Sequence, residues 1–341
     1  MDKKDIKNFT LEELKEELKN ISEPPYRAEQ IFSWVYKKGI EDFNAMNNLS
    51  KPFRDKLSQS YHVGSIRPLK HLKSIDQTEK FLFQLNDGNL IESVLIYAWL
   101  RRTLCISTQA GCKFACSFCA SGMNGFKRNL SISEILSQIL SIEHNFKHKI
   151  TNFVFMGMGE PLDNYDNVSK AIKIMNSPKG MAIAARRITV STSGIIPGIE
   201  KFKELSLQVN LSISLHAANN ELRDKLMPVN RKYPLEKLLK ACEDYMENGG
   251  RMLTLEYVLI KGTNDSQKDI EGLVKIAKRL KAKVNLIPYS TLPNLNFQAP
   301  LKKDIEIFED NLLKRGINVT VRDSKGKDIM AACGQLAGNP S

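Results

Sequence analysis

Three cysteines, Cys112, Cys116 and Cys119, form a C-x3-C-x2-C run whose spacing suits a metal centre. Iron–sulfur clusters are held by cysteine thiolates, and a fully ligated cubane takes four of them. Because the run supplies three, one iron of a 4Fe–4S cluster would stay open to a small chelating ligand. The amino-carboxylate end of S-adenosylmethionine is such a ligand, so the run predicts one-electron chemistry. A zinc site is the structural alternative, although zinc takes four ligands in such sites.

Further motifs that follow predicted strands offer polar groups to a ligand. In Phe155–Pro161, glycines including Gly159 let a ligand approach the backbone, and Glu160 can accept hydrogen bonds from an ammonium group. Ser191–Gly194 and Ser214-Leu215-His216 carry hydroxyls and an imidazole that suit a ribose or a carboxylate. Read alone, the glycine motif also fits an ordinary strand-to-helix turn, and a lone histidine at a strand end is usually structural. Beside the cysteine run, these motifs predict a cofactor site.

Two cysteines and one glutamate stand outside these motifs. Cys105 lies seven residues before the cysteine run, and Cys333 lies in the small-residue segment Ala331–Gln335, which leaves its thiol approachable. Burial as free cysteines is the alternative for both, as it is for Cys242 on an amphipathic helix. Glu92 falls in a strand-like run with apolar alternate positions, and a carboxylate buried there is a candidate proton acceptor. Apolar residues on both faces of that strand leave the orientation of Glu92 open.

The net charge of +12 on 341 residues points to a polyanionic partner such as RNA or DNA. Between Arg101 and Arg187, 12 Lys and Arg stand against 5 Asp and Glu, so much of the excess surrounds the cysteine run. Charge that serves solubility alone is the alternative. No apolar run is long enough to span a bilayer and no signal peptide opens the chain, which predicts a cytoplasmic protein without a membrane partner.

Helical periodicity is typical of the first part of the chain. A capping box at Thr10–Glu13 precedes a leucine stripe, and further helices are predicted over Arg27–Tyr36 and Ser50–Leu57. Two strand-like runs follow at Lys80–Leu85 and Leu90–Tyr97, joined by an Asn-Asp-Gly-Asn turn that favours a β-hairpin. The helices could grip RNA or pack for purely structural reasons.

From Thr103 onwards, short apolar runs alternate with amphipathic helices. Strands are predicted at 104–108, 152–156, 187–192, 209–215, 253–260, 283–288 and 317–322. Six strand–helix units and a last strand predict an α/β fold whose parallel sheet forms a partial (β/α)6 barrel rather than a closed eight-stranded one. Chemistry in such sheets collects at the C-terminal ends of the strands, where the motifs above lie.

Together these features resemble the RlmN/Cfr family of radical S-adenosylmethionine RNA adenosine methyltransferases over nearly the whole chain. The motifs that carry the resemblance are Pro25–Ile31, the cysteine loop through Gly125–Asn129, Met156–Pro161, Arg187–Gly194, Ser214–Ala217, Leu286–Pro288 and Ala331–Leu336. The last motif is the most specific, because other radical enzymes lack it. The resemblance implies an N-terminal helical RNA-binding accessory domain at 1–68, a β-hairpin extension at 69–97, a radical S-adenosylmethionine core at 98–326 and a C-terminal tail at 327–341.

The resemblance also implies a role for each candidate residue. The three cysteines of the run would bind a 4Fe–4S cluster. S-adenosylmethionine, two molecules per turnover, would be bound by Gly159, Glu160, Ser191, Ser214, Leu215, His216 and Ser290. Ser290 stands where the family has an asparagine, and a serine can still donate and accept one hydrogen bond. Cys333 would carry a methyl group, Cys105 would form a transient disulfide with it, and Glu92 would act as base.

The implied reaction forms 2-methyladenosine in 23S rRNA at the peptidyl-transferase centre and in tRNA next to the anticodon. Carbon 2 of adenine is electron-poor and will not attack a methyl sulfonium, which explains the need for a methyl-carrying cysteine and a radical route. An electron donor such as flavodoxin or ferredoxin is implied as a partner. Methylation at carbon 8, as in the Cfr branch, is the enzymatic alternative. A non-catalytic RNA-binding protein with a redox-sensing cluster is the alternative from another class.

Overall fold

The computed structural model describes residues 3–293 and 295–338. Its N-terminal part is helical, as predicted, and consists of β1 (Lys4–Asp5), α1 (Leu11–Asn20), α2 (Arg27–Phe32), α3 (Lys51–Ser60) and β2 (Tyr61–His62). Thr10 and Glu13 form the predicted capping box at the start of α1. A π-helical turn at Ser33–Lys37 continues α2. Because β1 and β2 pair in parallel, the two ends of this part lie side by side.

The central sheet has ten strands, and a separate two-stranded hairpin lies beside it. The strands in chain order are β3 (Pro68–Lys73), β4 (Glu79–Gln84), β5 (Leu90–Ala98), β6 (Arg101–Cys105), the hairpin strands β7 (Gln109–Gly111) and β8 (Phe126–Asn129), then β9 (Asn152–Phe155), β10 (Ile188–Thr192), β11 (Asn210–Ser214), β12 (Thr254–Leu259), β13 (Lys283–Pro288) and β14 (Val319–Val321). The order across the sheet is β14-β13-β12-β11-β10-β9-β6-β5-β4-β3. Strands β6 and β9–β14 are parallel, which confirms the predicted open α/β sheet.

Helices connect and cover the parallel strands. They are α4 (Ala120–Met123), α5 (Ile132–Leu140), α6 (Tyr165–Asn176), α7 (Ile196–Lys203), α8 (Asn220–Leu226), α9 (Val229–Lys232), α10 (Leu235–Glu247), α11 (Gln267–Arg279) and α12 (Lys302–Lys314). Ser131 and Glu134 form the capping box that starts α5. In the described part of the chain, no helix is long and apolar enough to cross a membrane.

The N-terminal part packs on the core through α5 and α6. The side-chain oxygen of Asn8 accepts the Ser133 N–H at 2.9 Å, and the buried Lys7 ammonium donates to the Ser137 hydroxyl. Glu13 also pairs with Lys170 at 2.5 Å. One hydrophobic core therefore runs through the helical part and the sheet.

Within the central sheet, two strands differ from the prediction, and the short strands β1, β2, β7 and β8 outside it were not predicted. The first parallel strand is Arg101–Cys105 rather than 104–108, because its start pairs with the preceding hairpin, Arg102 opposite Tyr97. The strand begins with two arginines, so its first residues do not belong to the apolar run from which the strand was predicted. Strand β3, a largely exposed edge strand, was not predicted. The predicted hairpin β4–β5 does form, and β5 pairs antiparallel with β6, so the hairpin extends the core sheet.

The segment 326–338 is called the tail below. It crosses the C-terminal ends of the parallel strands, and this edge of the sheet is called its mouth. On one side, the Asp76 carboxylate accepts the Gly326 N–H at 2.9 Å. On the other side, the Ala120 N–H donates to the Gly334 carbonyl at 2.7 Å. The tail is therefore tied both to the hairpin side of the sheet and to the cysteine loop.

We predict that Asp76→Asn weakens the attachment of the tail and lowers the free energy of unfolding by about 1–2 kcal/mol at pH 7, because two N–H groups lose a charged acceptor. Burial acts against ionisation, but the N–H groups of Gly326 and Thr78 lower the pKa of Asp76 to about 2. A depressed pKa in the folded state contributes stability above the unfolded value of 3.8, and that contribution is lost as the pH falls toward about 2.

Urea titrations of both proteins between pH 7 and pH 2 test this prediction. The difference in the free energy of unfolding between the unaltered protein and Asp76→Asn should become smaller below pH 4. As a control, Asp323→Asn, which changes an exposed carboxylate, should leave the free energy of unfolding unchanged. A gap that stays constant with pH would show that the Asp76 charge does not hold the tail.

Candidate active site

The cysteine loop connects β7 to α4 and carries Cys112, Cys116 and Cys119. Its path depends on Gly111, which has a φ of 74°. A Cβ at this position would lie 1.8 Å from the Gly125 carbonyl oxygen, so only glycine allows the two strands of the hairpin to approach here. The Cys112 N–H then donates to the same carbonyl at 3.2 Å.

The three thiols of the loop line one cavity. Burial raises the pKa of Cys112 to about 12, raises that of Cys116 well above its usual value, and also raises that of Cys119. Buried thiols become thiolates readily when they ligate a metal centre. Among residues 3–293 and 295–338, no three His, Cys, Asp or Glu side chains converge as ligands of one metal ion do. The chemistry of the donor set fits a cluster, whose thiolates bind separate iron atoms.

The same cavity, called the cofactor cavity below, opens at the C-terminal ends of β9–β12 and encloses about 890 Å³, part of it open to solvent. Gly159, Glu160, Ser191, Ser214 and His216 all line it, as predicted for the cofactor site; so do the cysteines of the loop. The hydroxyl oxygen of Ser193, which also lines the cavity, is buried without a hydrogen-bond partner. Such an unpaired group fits a polar ligand that supplies the missing partner.

Glu160 is held rigidly at the wall of the cofactor cavity. Its carboxylate accepts the Leu162 N–H at 3.0 Å and the Ser193 N–H at 2.7 Å, and its own N–H donates to the Gln109 side chain at 2.9 Å. Burial nevertheless raises the pKa of Glu160. The neighbouring Gly159 has a φ of 94°, and a Cβ there would collide with Gln109 at 2.4 Å. Glycine at this position therefore allows the segment around Gly159 to pack closely against the segment around Gln109.

His216 offers a neutral imidazole to the cofactor cavity. Its Nδ1 accepts the Val258 N–H at 3.1 Å, which leaves the proton on Nε2. Burial, and after it the charge of Arg223, lower the pKa of His216 to about 3. Beside it, the hydroxyls of Ser191 and Ser214 lie 3.2 Å apart and can share a ligand.

Two of the predicted cofactor residues are not among those lining the cavity. The side chain of Leu215 is fully buried in the core, and only its main chain takes part in the site, with its carbonyl accepting from Arg223 at 3.1 Å. Ser290 is buried, and its hydroxyl oxygen has no hydrogen-bond partner. An unsatisfied buried hydroxyl follows β13 at the position predicted for a cofactor contact.

Cys105 and Cys333 lie in a second cavity, called the thiol cavity, which adjoins the first. Cys105 is buried at the end of β6, and Cys333 is half-buried on the tail. Burial raises the pKa of the Cys105 thiol to about 12. Cys333 lines both cavities, as does Cys119 of the cysteine loop. The structure thus brings the two predicted thiols together and places one of them at the junction with the cofactor cavity.

Glu92 lies in a third pocket, beside the tail. Its carboxylate is 3.0 Å from the Lys80 ammonium and accepts the N–H groups of Ala337 at 2.8 Å and Gly338 at 3.0 Å. The face of β5 that carries Glu92 therefore looks toward the tail, which answers the question that the sequence left open. In this arrangement the carboxylate is fully engaged and does not line the thiol cavity.

Three charged residues of the site were missed by the sequence analysis. Buried Arg223 donates to the carbonyls of Ser193 at 2.7 Å and Ser214 at 3.1 Å, and so ties two strand ends together under the cofactor cavity. Lys80 is the partner of Glu92, and the hairpin register, Leu82 opposite Glu92, would have placed both on one face. For Arg322, at the wall of the thiol cavity, the sequence carries no signal, because it follows a short terminal strand.

Comparisons with known proteins agree with this geometry. Residues 106–276 match the radical SAM superfamily, and residues 4–63 match the ribosomal RNA large subunit methyltransferase N-terminal domain. The chain is 45% identical over 337 residues to the probable dual-specificity RNA methyltransferase RlmN of Clostridium novyi, covering 98% of each protein. It is 46% identical over 339 residues to the protein of the same name from Bacillus cereus strain B4264, covering 98% of this chain and 94% of the relative.

A solved structure extends the likeness to the fold. The radical SAM methyltransferase from Sphaerobacter thermophilus superimposes with a TM-score of 0.93 at 42% identity, covering 98% of this chain and 100% of that one. These matches confirm the resemblance, the α/β fold and the use of a 4Fe–4S cluster with S-adenosylmethionine. The chain belongs to the RlmN family of radical S-adenosylmethionine RNA methyltransferases.

Proposed function

We propose that this enzyme methylates carbon 2 of adenine in 23S rRNA and in tRNA next to the anticodon. The observation that carries the proposal is the position of Cys333, which lines both the cofactor cavity and the thiol cavity. A methyl carrier must receive its group in one place and deliver it beside a second thiol, and Cys333 meets both demands. Relatives named as dual-specificity RNA methyltransferases support two RNA substrates.

In this proposal Cys112, Cys116 and Cys119 hold the 4Fe–4S cluster, and the cofactor cavity holds S-adenosylmethionine. When bound, these groups supply the methyl group and the one-electron chemistry that activates it. Glu160 and the neutral His216 would orient the cofactor, and the unpaired hydroxyl of Ser193, which lines the same cavity, would offer it a hydrogen bond. The electrons come from a protein of the flavodoxin or ferredoxin type.

The protein's own residues perform three tasks. The Cys333 sulfur accepts the methyl group. The one-electron chemistry of the bound cofactors would remove one hydrogen atom from that methyl group so that its carbon can bond to adenine, and one electron would return to them when the ring proton leaves. The Glu92 carboxylate then removes the ring proton, which requires that Ala337 and Gly338 of the tail release it. Finally the Cys105 thiolate attacks the Cys333 sulfur; an S–S bond forms, the S–C bond breaks, and the carbon keeps the electron pair and takes a proton to become the methyl group. A dithiol reductant restores both thiols.

The RNA contacts are assigned to the N-terminal part and to the rim of the cavities. We propose the domain limits 1–68 for the RNA-binding part, 69–97 for the hairpin extension, 98–326 for the core and 327–341 for a C-terminal segment. The match of residues 4–63 to a ribosomal RNA methyltransferase N-terminal domain supports the first of these. The excess of positive charge between Arg101 and Arg187 supports phosphate contacts close to the cavities.

Anaerobic assays with ribosomal and transfer RNA fragments, followed by nucleoside mass spectrometry, test the function. We expect 2-methyladenosine from the unaltered enzyme and no methylated RNA from Cys333→Ala, because the carrier atom is gone. Cys242→Ala, which removes a fully buried thiol elsewhere in the core, should keep the activity. Methylated RNA from Cys333→Ala would exclude Cys333 as the methyl carrier. Formation of 8-methyladenosine by the unaltered enzyme would assign it to the Cfr branch, which methylates carbon 8.

For Cys105→Ala, we expect a covalent protein–RNA adduct to accumulate, because the thiol that releases the product from Cys333 is missing. Denaturing gels with labelled RNA should show the adduct at about one per active site. If RNA and protein stay separate on such gels while turnover stops, Cys105 acts before the methyl carbon reaches the base.

For Glu92→Gln, we expect turnover to fall by about 10²–10⁴-fold, the usual contribution of a general base, with iron and sulfide content unchanged. Initial rates and metal analysis on the same preparation check both parts. Normal multiple-turnover kinetics in this variant would exclude Glu92 as the base.

A further inference from the structure

Cys105 presents a chemical difficulty for any reaction in which it is a nucleophile. Only the thiolate attacks a sulfur atom, and burial raises the pKa of this thiol to about 12. In water at neutral pH, such a thiol is almost entirely protonated. The pKa stands there even though a neighbouring positive charge lowers it, so the fraction of thiolate depends on that charge.

The groups that face Cys105 can be named from the wall of the thiol cavity. The charged and titratable residues there are Cys119, Cys333, Arg322, Asp323 and Lys325. Burial and the neighbouring Cys333 disfavour a negative charge at Cys105. Of the two cations, Arg322 is the one whose charge favours the Cys105 thiolate.

Arg322 is positioned by one main-chain hydrogen bond and by one contact of its guanidinium. Its main-chain N–H extends β14 by donating to the Leu286 carbonyl at 2.8 Å, and its Nη1 lies 3.8 Å from the Met156 sulfur. Met156 lines both cavities, so this contact holds the guanidinium at the wall between them. The pKa of Arg322 is raised, chiefly by Cys333 and, against burial, by Cys105 and Glu256.

We propose that Arg322 is the positioning residue that stabilises the Cys105 thiolate for its attack on Cys333. The inference rests on the proposed role of Cys105 in releasing the product. Cys105 loses its proton to solvent and the charge is balanced by the fixed guanidinium. Bond formation and cleavage then follow as described above, with the same dithiol reductant restoring the thiols. Removal of the guanidinium is therefore expected to raise the pKa of Cys105 further and to lower the thiolate population by about tenfold or more.

The first test needs no cofactor. Full-length protein is alkylated with iodoacetamide between pH 7 and pH 10, and labelling of the Cys105 peptide is followed by mass spectrometry. In Arg322→Gln we expect labelling of Cys105 to slow about tenfold at each pH, and Arg322→Lys to recover part of the rate, because a point charge replaces the planar fork.

Lys325→Gln is the matched control, because it removes one positive charge from the same cavity wall. It should label like the unaltered protein. Equal labelling in Arg322→Gln and the unaltered protein overturns the inference, as does equal slowing by the Arg322 and Lys325 variants. Arg322→Lys keeps the test decisive if the glutamine variant fails to fold.

The second test separates this inference from the proposed function. With cluster, S-adenosylmethionine and RNA present, Arg322→Gln should accumulate the protein–RNA adduct and resolve it faster as the pH rises. The adduct of Cys105→Ala should persist at every pH. An adduct in Cys105→Ala but none in Arg322→Gln overturns the role of Arg322 alone, whereas no adduct in Cys105→Ala overturns the role of Cys105 on which it rests.

Discussion

The attachment of the tail across the mouth of the sheet is the constraint on which the site depends. Parallel strands bring their C-terminal ends to one edge, and this gathers the cysteine loop, Glu160 and His216 around one cavity. The tail adds what the strands do not supply, a thiol that faces this cavity and the next one. Asp76 and the Ala120 N–H hold the tail, and Glu92 holds its last described residues. The predicted base is thus also an anchor of the segment that carries Cys333.

Glu160, His216 and Arg223 each have defined hydrogen-bond partners in the site. Glu160 is satisfied by two main-chain N–H groups, and His216 stays neutral because burial lowers its pKa to about 3. The Arg223 guanidinium donates to main-chain carbonyls at two strand ends, so it fixes the shape of the cofactor cavity. Arg322 instead faces the thiols. Arg223 thus shapes the cofactor cavity, whereas Arg322 has the proposed role of stabilising the Cys105 thiolate.

Much of the fold followed from the sequence because its local signals agree with its tertiary contacts. The capping box at Thr10, the hairpin turn and the alternation of strands and helices after Thr103 predicted elements that the structure contains. Strand β3 and the true start of β6 were missed, because exposed and charged residues form them through pairing alone. The cavity residues lie at strand ends, where topology brings them together. The partners Lys80, Arg223 and Arg322 depend on register and packing that no single motif encodes.

Mass spectrometry of the purified protein can show whether the methyl group passes through Cys333 on its way to RNA. The cluster-loaded enzyme is incubated with S-adenosylmethionine that carries a heavy methyl group, without RNA, and the peptides are analysed. We expect one heavy methyl group on the peptide that contains Cys333 and none on the peptide that contains Cys105. Two results would show that Cys333 is not the carrier. One is a heavy methyl group on Cys105, and the other is enzyme that methylates RNA although neither thiol carried a heavy methyl group.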